Sequence, residues 1–157
     1  ALKNIQYDFK LYIVGGGDDI WIKKLIKKNN LENKIILKGR INKREEIYGF
    51  LDNLDLYVQP SFTEGLPRGV IEAMARACPI VASNVGGIPE LISAKFTYDV
   101  KDDSRLSFLI NKVLEHKSLR KELSKENFLH SKKYTFENLN KKRYTFFKEI
   151  KDQIENK

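Results

Sequence analysis

Cysteine is nearly absent from this sequence: Cys78 stands alone in 157 residues. No internal disulfide can form, so the fold must be held by packing, and a reducing compartment, the cytoplasm, is the expected setting. Histidine is almost as scarce. His116 and His130 fall in amphipathic segments of the second half, and with a single cysteine they make no metal-ligand set. Nor can they complete a Ser-His-Asp arrangement with Ser61 or Ser83, which sit elsewhere in the pattern. No apolar run is long enough to span a bilayer. The run Gly15-Gly16-Gly17-Asp18 is not a dinucleotide fingerprint, because Asp18 and Ile20 break the G-x-G-x-x-G spacing, and no Gly-Lys-Ser/Thr follows to make a phosphate loop. The chain opens at Ala1 without a signal-like segment or a methionine, which reads as a piece of a longer protein.

What is present is enough apolar residue for one core, 41% of the chain. The net charge is +8, and residues 112–157 carry much of it, with thirteen Lys and Arg against seven Asp and Glu. A solvated helix face, an anionic membrane surface and nucleic acid compete for that tail. Lysine is abundant throughout, which favours the first. Nucleic acid is not expected, since no aromatic residues interleave with the charge on one face and no recognised module appears.

Short apolar runs alternate with longer amphipathic ones. Strands are expected over 10–14, 35–37, 56–58, 80–82 and 96–100, and helices over 18–28, 43–51, 67–77, 103–115, 119–130 and 136–154. In the first helix Ile22, Leu25 and Ile26 form the inner stripe; Asp18 is a candidate cap there and Thr135 another at the last helix. This alternation predicts an α/β fold: a Rossmann-like parallel sheet with helices on both faces, followed by a helical C-terminal tail. The division expected is a Rossmann-like domain over 1–133 and a C-terminal helix over 134–157, with 132–135 as the linker.

In such sheets ligands bind beyond the carboxyl ends of the strands. Four ends carry glycine or small polar residues there: Gly15-Gly16-Gly17, Gly39-Arg40, Pro60 through Leu66, and Ser83 through Gly87. The richest is Glu64-Gly65-Leu66-Pro67-Arg68-Gly69-Val70-Ile71-Glu72, a turn that leads into a helix. A helix entry presents free amides to an anion, and carboxylates accept from hydroxyls, so the pair of features fits a sugar nucleotide. Each residue also has a plainer reading. Glu64 is a loop carboxylate in solvent or an acceptor for sugar hydroxyls. Glu72 lies opposite the Val70, Ile71, Met74 and Cys78 face and is therefore solvent-facing helix or the wall of a cleft. Arg40 is a solvated arginine or a contact to a base or phosphate. Arg68 in the first helical turn opposes the helix dipole, a mild sign of an anionic ligand.

Several motifs in order resemble one family. Tyr12-Ile13-Val14-Gly15-Gly16-Gly17, Ile36-Leu37-Lys38-Gly39-Arg40, Asp55-Leu56-Tyr57-Val58-Gln59-Pro60-Ser61, the Glu64 to Glu72 E-x7-E spacing, and Pro79-Ile80-Val81-Ala82-Ser83 with Gly86-Gly87-Ile88-Pro89-Glu90 are similar to the C-terminal nucleotide-binding domain of GT-B glycosyltransferases, the retaining group 1 type, family 4. The resemblance covers about residues 10–92. It implies that Glu64 is the catalytic-site carboxylate facing the donor sugar. It implies that the amides of Gly65, Leu66, Gly69 and Val70, with Arg68, hold sugar and diphosphate. Glu72 would accept from the ribose hydroxyls, Gly15 and Gly16 would line the rim, and Gly39, Arg40 and Ile41 would lie beside the base. The donor would be a UDP-, GDP- or ADP-sugar, with no cofactor and no metal. The acceptor would be a saccharide or lipid-linked molecule, brought by an N-terminal domain outside this chain.

Three residues depart from the pattern: Pro67, Ala77 where glycine is usual, and Gly69 where an apolar residue is usual. The family's first strand would also precede Ala1. In the order 3-2-1-4-5-6 that strand is central, so the strands ending at Val14 and Val58 are expected to pair directly, or the gap to be filled by another segment or a second chain through strand exchange. The function implied is the donor-binding half of a polysaccharide or glycolipid glycosyltransferase, inactive alone and peripheral at the inner face of the plasma membrane. A non-catalytic nucleotide-sugar-binding or epimerase-like domain is the alternative, with nucleic-acid binding through the basic tail behind it.

Overall fold

The computed structural model describes residues 1–155. Its elements in chain order are β1 (Leu11–Val14), α1 (Ile20–Lys28), β2 (Ile35–Gly39), α2 (Arg44–Leu51), β3 (Tyr57–Gln59), α3 (Arg68–Ala75), β4 (Ile80–Ser83), α4 (Ile88–Leu91), β5 (Thr97–Tyr98), α5 (Asp103–Glu115), α6 (Lys117–Ser131) and α7 (Phe136–Glu155). All strand pairs are parallel. This is the expected α/β architecture, with helices covering a parallel sheet and a helix at the C-terminal end.

The sheet is in two pieces. β1 pairs with β2, with Leu11 opposite Ile35, and β3-β4-β5 form the second piece, with Val58 opposite Val81. The expected direct pairing of the strands at Val14 and Val58 does not occur, and no other described segment lies between them. Helix α2 touches both pieces: its Phe50 ring packs edge-on against Tyr12 of β1 at 5.6 Å, and Asp52 at its end is bound to Arg76 after α3.

The core belongs to the second piece. β4 is buried along its whole length, because helices cover both of its faces. Val70 and Met74 of α3, Ile88 and Leu91 of α4, Leu109 and Val113 of α5 and Leu123 of α6 close around it. Asn127 is the polar link in this layer. It is buried, and its Nδ2 donates to the Cys78 carbonyl at 2.8 Å. Replacing it leaves that carbonyl unpaired, so Asn127→Ala is expected to lower stability by about 1–3 kcal/mol, read from the urea midpoint. A change below about 0.5 kcal/mol would show that water takes over the bond.

Several boundaries moved. Helix α1 buries Ile26, but Leu25 is 47% exposed, so the expected inner stripe is narrower, in keeping with the thin β1-β2 piece beneath it. Asp18 accepts from the Ile20 amide at 2.9 Å, while Asp19 takes the cap position without a side-chain bond. α3 ends at Ala75, since Ala77 turns left-handed at φ +58°, a position where glycine is cheaper by about 1 kcal/mol. The expected strand over 96–100 shrinks to Thr97–Tyr98, because a 3-10 turn over Ala94–Phe96 takes its start. The expected linker over 132–135 is largely a 3-10 turn, Lys132–Tyr134, continuous with α6.

α7 buries none of its residues; Phe136, Phe146 and Phe147 are 77, 57 and 65% exposed. Among the described residues the apolar face of this helix is uncovered. The last two residues of the expected 134–157 helix lie outside the described residues. Among the described residues, no helix is long and apolar enough to cross a membrane.

Candidate functional site

β3 delivers the site. Along a strand alternate residues share a face, and Tyr57, Gln59 and Ser61 follow this period of two. The Tyr57 hydroxyl donates to Gln59 Oε1 at 2.7 Å. Gln59 Nε2 donates to Ser61 Oγ and to Glu64 Oε1, each at 2.8 Å, and Ser61 Oγ donates to the same Glu64 oxygen at 2.6 Å. Ser83, at the end of β4, donates to the Ser61 carbonyl at 2.7 Å and fixes the turn from the neighbouring strand. The turn is held from the other side by the chain after β4. The Gly87 amide donates to the Gly65 carbonyl at 2.8 Å, and Gly86 lies so close to Glu64 that a Cβ there would stand 1.9 Å from the Glu64 carbonyl oxygen.

The turn feeds α3. Pro67 precedes it with φ −71° and ψ 112°, so its missing amide falls where no helix bond is needed. The first bond runs from the Ile71 amide to the Pro67 carbonyl at 3.3 Å, which leaves the amides of Arg68, Gly69 and Val70 ahead of the ladder. The Val70 side chain is fully buried, so only its backbone can face a ligand. Gly69 makes room for Tyr57, whose hydroxyl would lie 2.9 Å from a Cβ at that position. Leu66 is 45% exposed beside this entry.

Glu72, one turn into α3, is half-buried, as is Glu64. Burial pushes the Tyr57 hydroxyl up to about 12, and the charges of Glu64 and then Glu72 push it in the same direction. The charges of both carboxylates, one in the turn and one on the helix, thus reach the Tyr57 hydroxyl. Among the described residues neither is in an ion pair.

The remaining predicted residues gather on the other sheet piece. The Gly15 amide donates to the Gly39 carbonyl at 2.9 Å. Gly39 turns left-handed at φ +67°, and the Arg40 guanidinium folds back over Gly16, with Nε 3.3 Å from where a Cβ would stand. Ile41 is half-buried beside it. Thus Gly15, Gly16, Gly39, Arg40 and Ile41 form one group, and Glu64 through Glu72 the other, each at the carboxyl ends of its own strands. His116 and His130 bond to the Lys112 and Leu91 carbonyls, away from both groups. A cavity of about 580 Å³ lies at the opposite, amino ends of β3 and β4, between Asp52, Arg76 and α6. It touches neither glutamate.

Two roles escaped the sequence reading. Tyr57 and Gln59 were matched only as part of a motif, although their alternation with Val58 and Pro60 gives the side they share. Gly86 and Gly87 were read as rim, and nothing local shows that they seat the Glu64 turn.

The architecture defines a Rossmann-like α/β domain, and comparison with known proteins gives its family. Residues 1–129 match the model for glycosyl transferases group 1, and the chain belongs to that family. It is 36% identical over 138 residues to Protein CapJ of Staphylococcus aureus, covering 88% of this chain and 35% of that protein. It is 40% identical over 91 residues to the amylovoran biosynthesis glycosyltransferase AmsK of Erwinia amylovora, covering 54% of this chain and 22% of that one. The chain thus spans little more than a third of CapJ and less of AmsK. Among solved structures, Anabaena Alr3699/HepE in complex with UDP and glucose superposes with a TM-score of 0.84 at 21% identity, over 94% of this chain and 42% of that one. Sucrose-phosphate synthase from Thermosynechococcus elongatus gives 0.82 at 22%, over 92% and 39%. At those identities the structures bear on the fold.

Proposed function

We propose that this chain is the donor-binding half of a retaining glycosyltransferase of the GT-B, family 4 type, which transfers a sugar from a UDP-, GDP- or ADP-sugar to a polysaccharide or glycolipid acceptor. The observation that carries the reading is Glu64, held by Gln59 and Ser61 in the turn just ahead of the amides of Arg68, Gly69 and Val70 that precede the α3 ladder, with Glu72 one turn further on and neither carboxylate in an ion pair among the described residues. Glu64 accepts from donor-sugar hydroxyls at the catalytic centre. Glu72 accepts from the ribose. The amides of Gly65, Leu66, Gly69 and Val70 and the Arg68 side chain face the diphosphate, and the helix entry stabilises the negative charge that grows on it as the glycosidic bond breaks. Gly15, Gly16, Gly39, Arg40 and Ile41 border the base. These residues require no metal or cofactor for that task. The names of the relatives and the sugar nucleotide in the HepE complexes support the substrate class.

The acceptor is brought by sequence outside this chain, at the inner face of the plasma membrane, and the chain alone binds donor weakly without turning it over. Titration of UDP-glucose, GDP-mannose and the free nucleotides into the chain and into Glu72→Ala tests this. Loss of the ribose acceptor is expected to weaken the preferred nucleotide about tenfold. Equal binding by both proteins would remove Glu72 from the site.

A further inference from the structure

The side chains behind Glu64 form a chain of bonds with one direction, and the direction follows from their inventory. Gln59 uses its oxygen to accept from Tyr57 and its nitrogen to donate to Ser61 and Glu64. That assignment cannot be flipped, because the nitrogen would then face the tyrosine proton and the oxygen would face a carboxylate. Ser61, having accepted from Gln59, spends its own proton on Glu64. Both donors reach the same oxygen, Oε1, and among the described residues no protein group donates to Oε2.

We infer that Tyr57, Gln59 and Ser61 are positioning residues: a one-way relay that saturates Oε1 of Glu64 and so turns Oε2, with its lone pairs unspent, toward the hydroxyl groups of the bound sugar. The inference rests on the donor-binding reading of the site. The buried tyrosine keeps its proton at any working pH, with its titration pushed up to about 12 by burial and by the charges of Glu64 and Glu72, so the first donor in the relay is never lost. It also explains the glycine at position 69. The Tyr57 hydroxyl occupies the space a side chain there would need. The two residues are a matched pair, and the apolar residue usual in this motif is incompatible with the relay's anchor. A bond to a charged acceptor is stronger than one between neutral groups, so Gln59 and Ser61 are the strong links and Tyr57 the orienting one.

Two measurements on the full chain test the relay. The first needs no ligand: carbon-13 NMR of the Glu64 side-chain carboxyl. Gln59→Leu should move this resonance, Tyr57→Phe should move it less, and Tyr57→Phe should have no further effect once Gln59 is leucine. A resonance indifferent to Gln59→Leu overturns the inference. The second compares UDP-glucose with UDP. In Gln59→Leu the affinity for UDP-glucose should fall about tenfold and in Tyr57→Phe about threefold, while UDP binding stays within about twofold, because only the sugar meets Glu64. Equal losses for both ligands would make these residues general supports of the fold and would also overturn it. Failure of the parent chain to bind any nucleotide would sink the donor-binding reading instead, and the carboxyl resonance would still decide the relay.

Discussion

Gly86→Ala is expected to lower the stability of the chain by about 3–5 kcal/mol and to abolish nucleotide-sugar binding, whereas Gly65→Ala should change the urea midpoint hardly at all. The contrast is informative because Gly65 lies inside the conspicuous motif and Gly86 fourteen residues past its end at Glu72. A Cβ on Gly65 meets nothing within 4 Å. A Cβ on Gly86 would sit 1.9 Å from the Glu64 carbonyl oxygen and 2.7 Å from its carbon. Both are backbone atoms, so no rotamer change relieves the contact. Gly86 also has φ +53°, where an L-residue pays about 1 kcal/mol before any clash. The turn must then shift by more than 1 Å, and the short bonds from Gln59 and Ser61 to Glu64 shift with it. Gly87→Ala is a graded version: its Cβ would meet the Gly65 oxygen at 2.7 Å, with an ordinary φ, and its effect should be smaller. Urea unfolding of the three variants with a nucleotide titration of each reads both consequences. A Gly86→Ala protein as stable as its parent would mean that the two turns do not touch as they do here.

How much of this was legible in the sequence depended on range. β1 to β4 lay where apolar runs abut glycine or proline, because buried parallel strands are short and their ends are marked chemically. α4 was not foreseen: Ile88–Leu91 is too short to show a period, and Pro89 argues for a turn as readily as for a helix start. Glu64 and Glu72 were legible as a pair, since a turn followed by a helix fixes their separation. That both charges reach Tyr57 was not, because it depends on Tyr57 lying under α3 in the space left at Gly69. The strands ending at Val14 and Val58 were expected to pair directly or across a filler, and they do not pair; α2 touches both pieces through Tyr12 and Arg76, contacts that no local pattern announces. The last helix shows the same limit: it forms as expected, over Phe136–Glu155, with its apolar face uncovered among the described residues. An amphipathic pattern says that a face wants cover and is silent on what supplies it.

Alkaline pH should unfold this chain early. Cys78 is buried, its Sγ donating to the Leu51 carbonyl at 3.3 Å, and burial pushes its thiol up to about 11, with the Asp52 charge adding to the shift and Arg76 opposing it. Tyr57 is pushed up to about 12, and Tyr98 is raised as well by burial and then by Asp103. In each case the folded state holds the proton more tightly than the unfolded state. The stabilisation is complete below the ordinary values of 9.0 and 10.0 and is lost as pH rises through the folded ones. Shifts of this size are worth about 2–3 kcal/mol for each group, so about 5 kcal/mol should disappear between pH 9 and pH 12. That is the entire stability of many domains. The urea midpoint, followed by circular dichroism at pH 8, 10 and 11, should fall steeply over the last step, and an unchanged midpoint would refute the assignment. Tyrosinate absorbance sharpens the test. Of the seven tyrosines, Tyr57 should ionise only as the fold opens. In a Glu64→Gln, Glu72→Gln protein it should ionise at lower pH, because two of the charges that hold its proton are gone. If that double substitution left the late tyrosine where it was, the charges of the two carboxylates would not reach Tyr57, and the proposed grouping of Glu64 and Glu72 would lose its support.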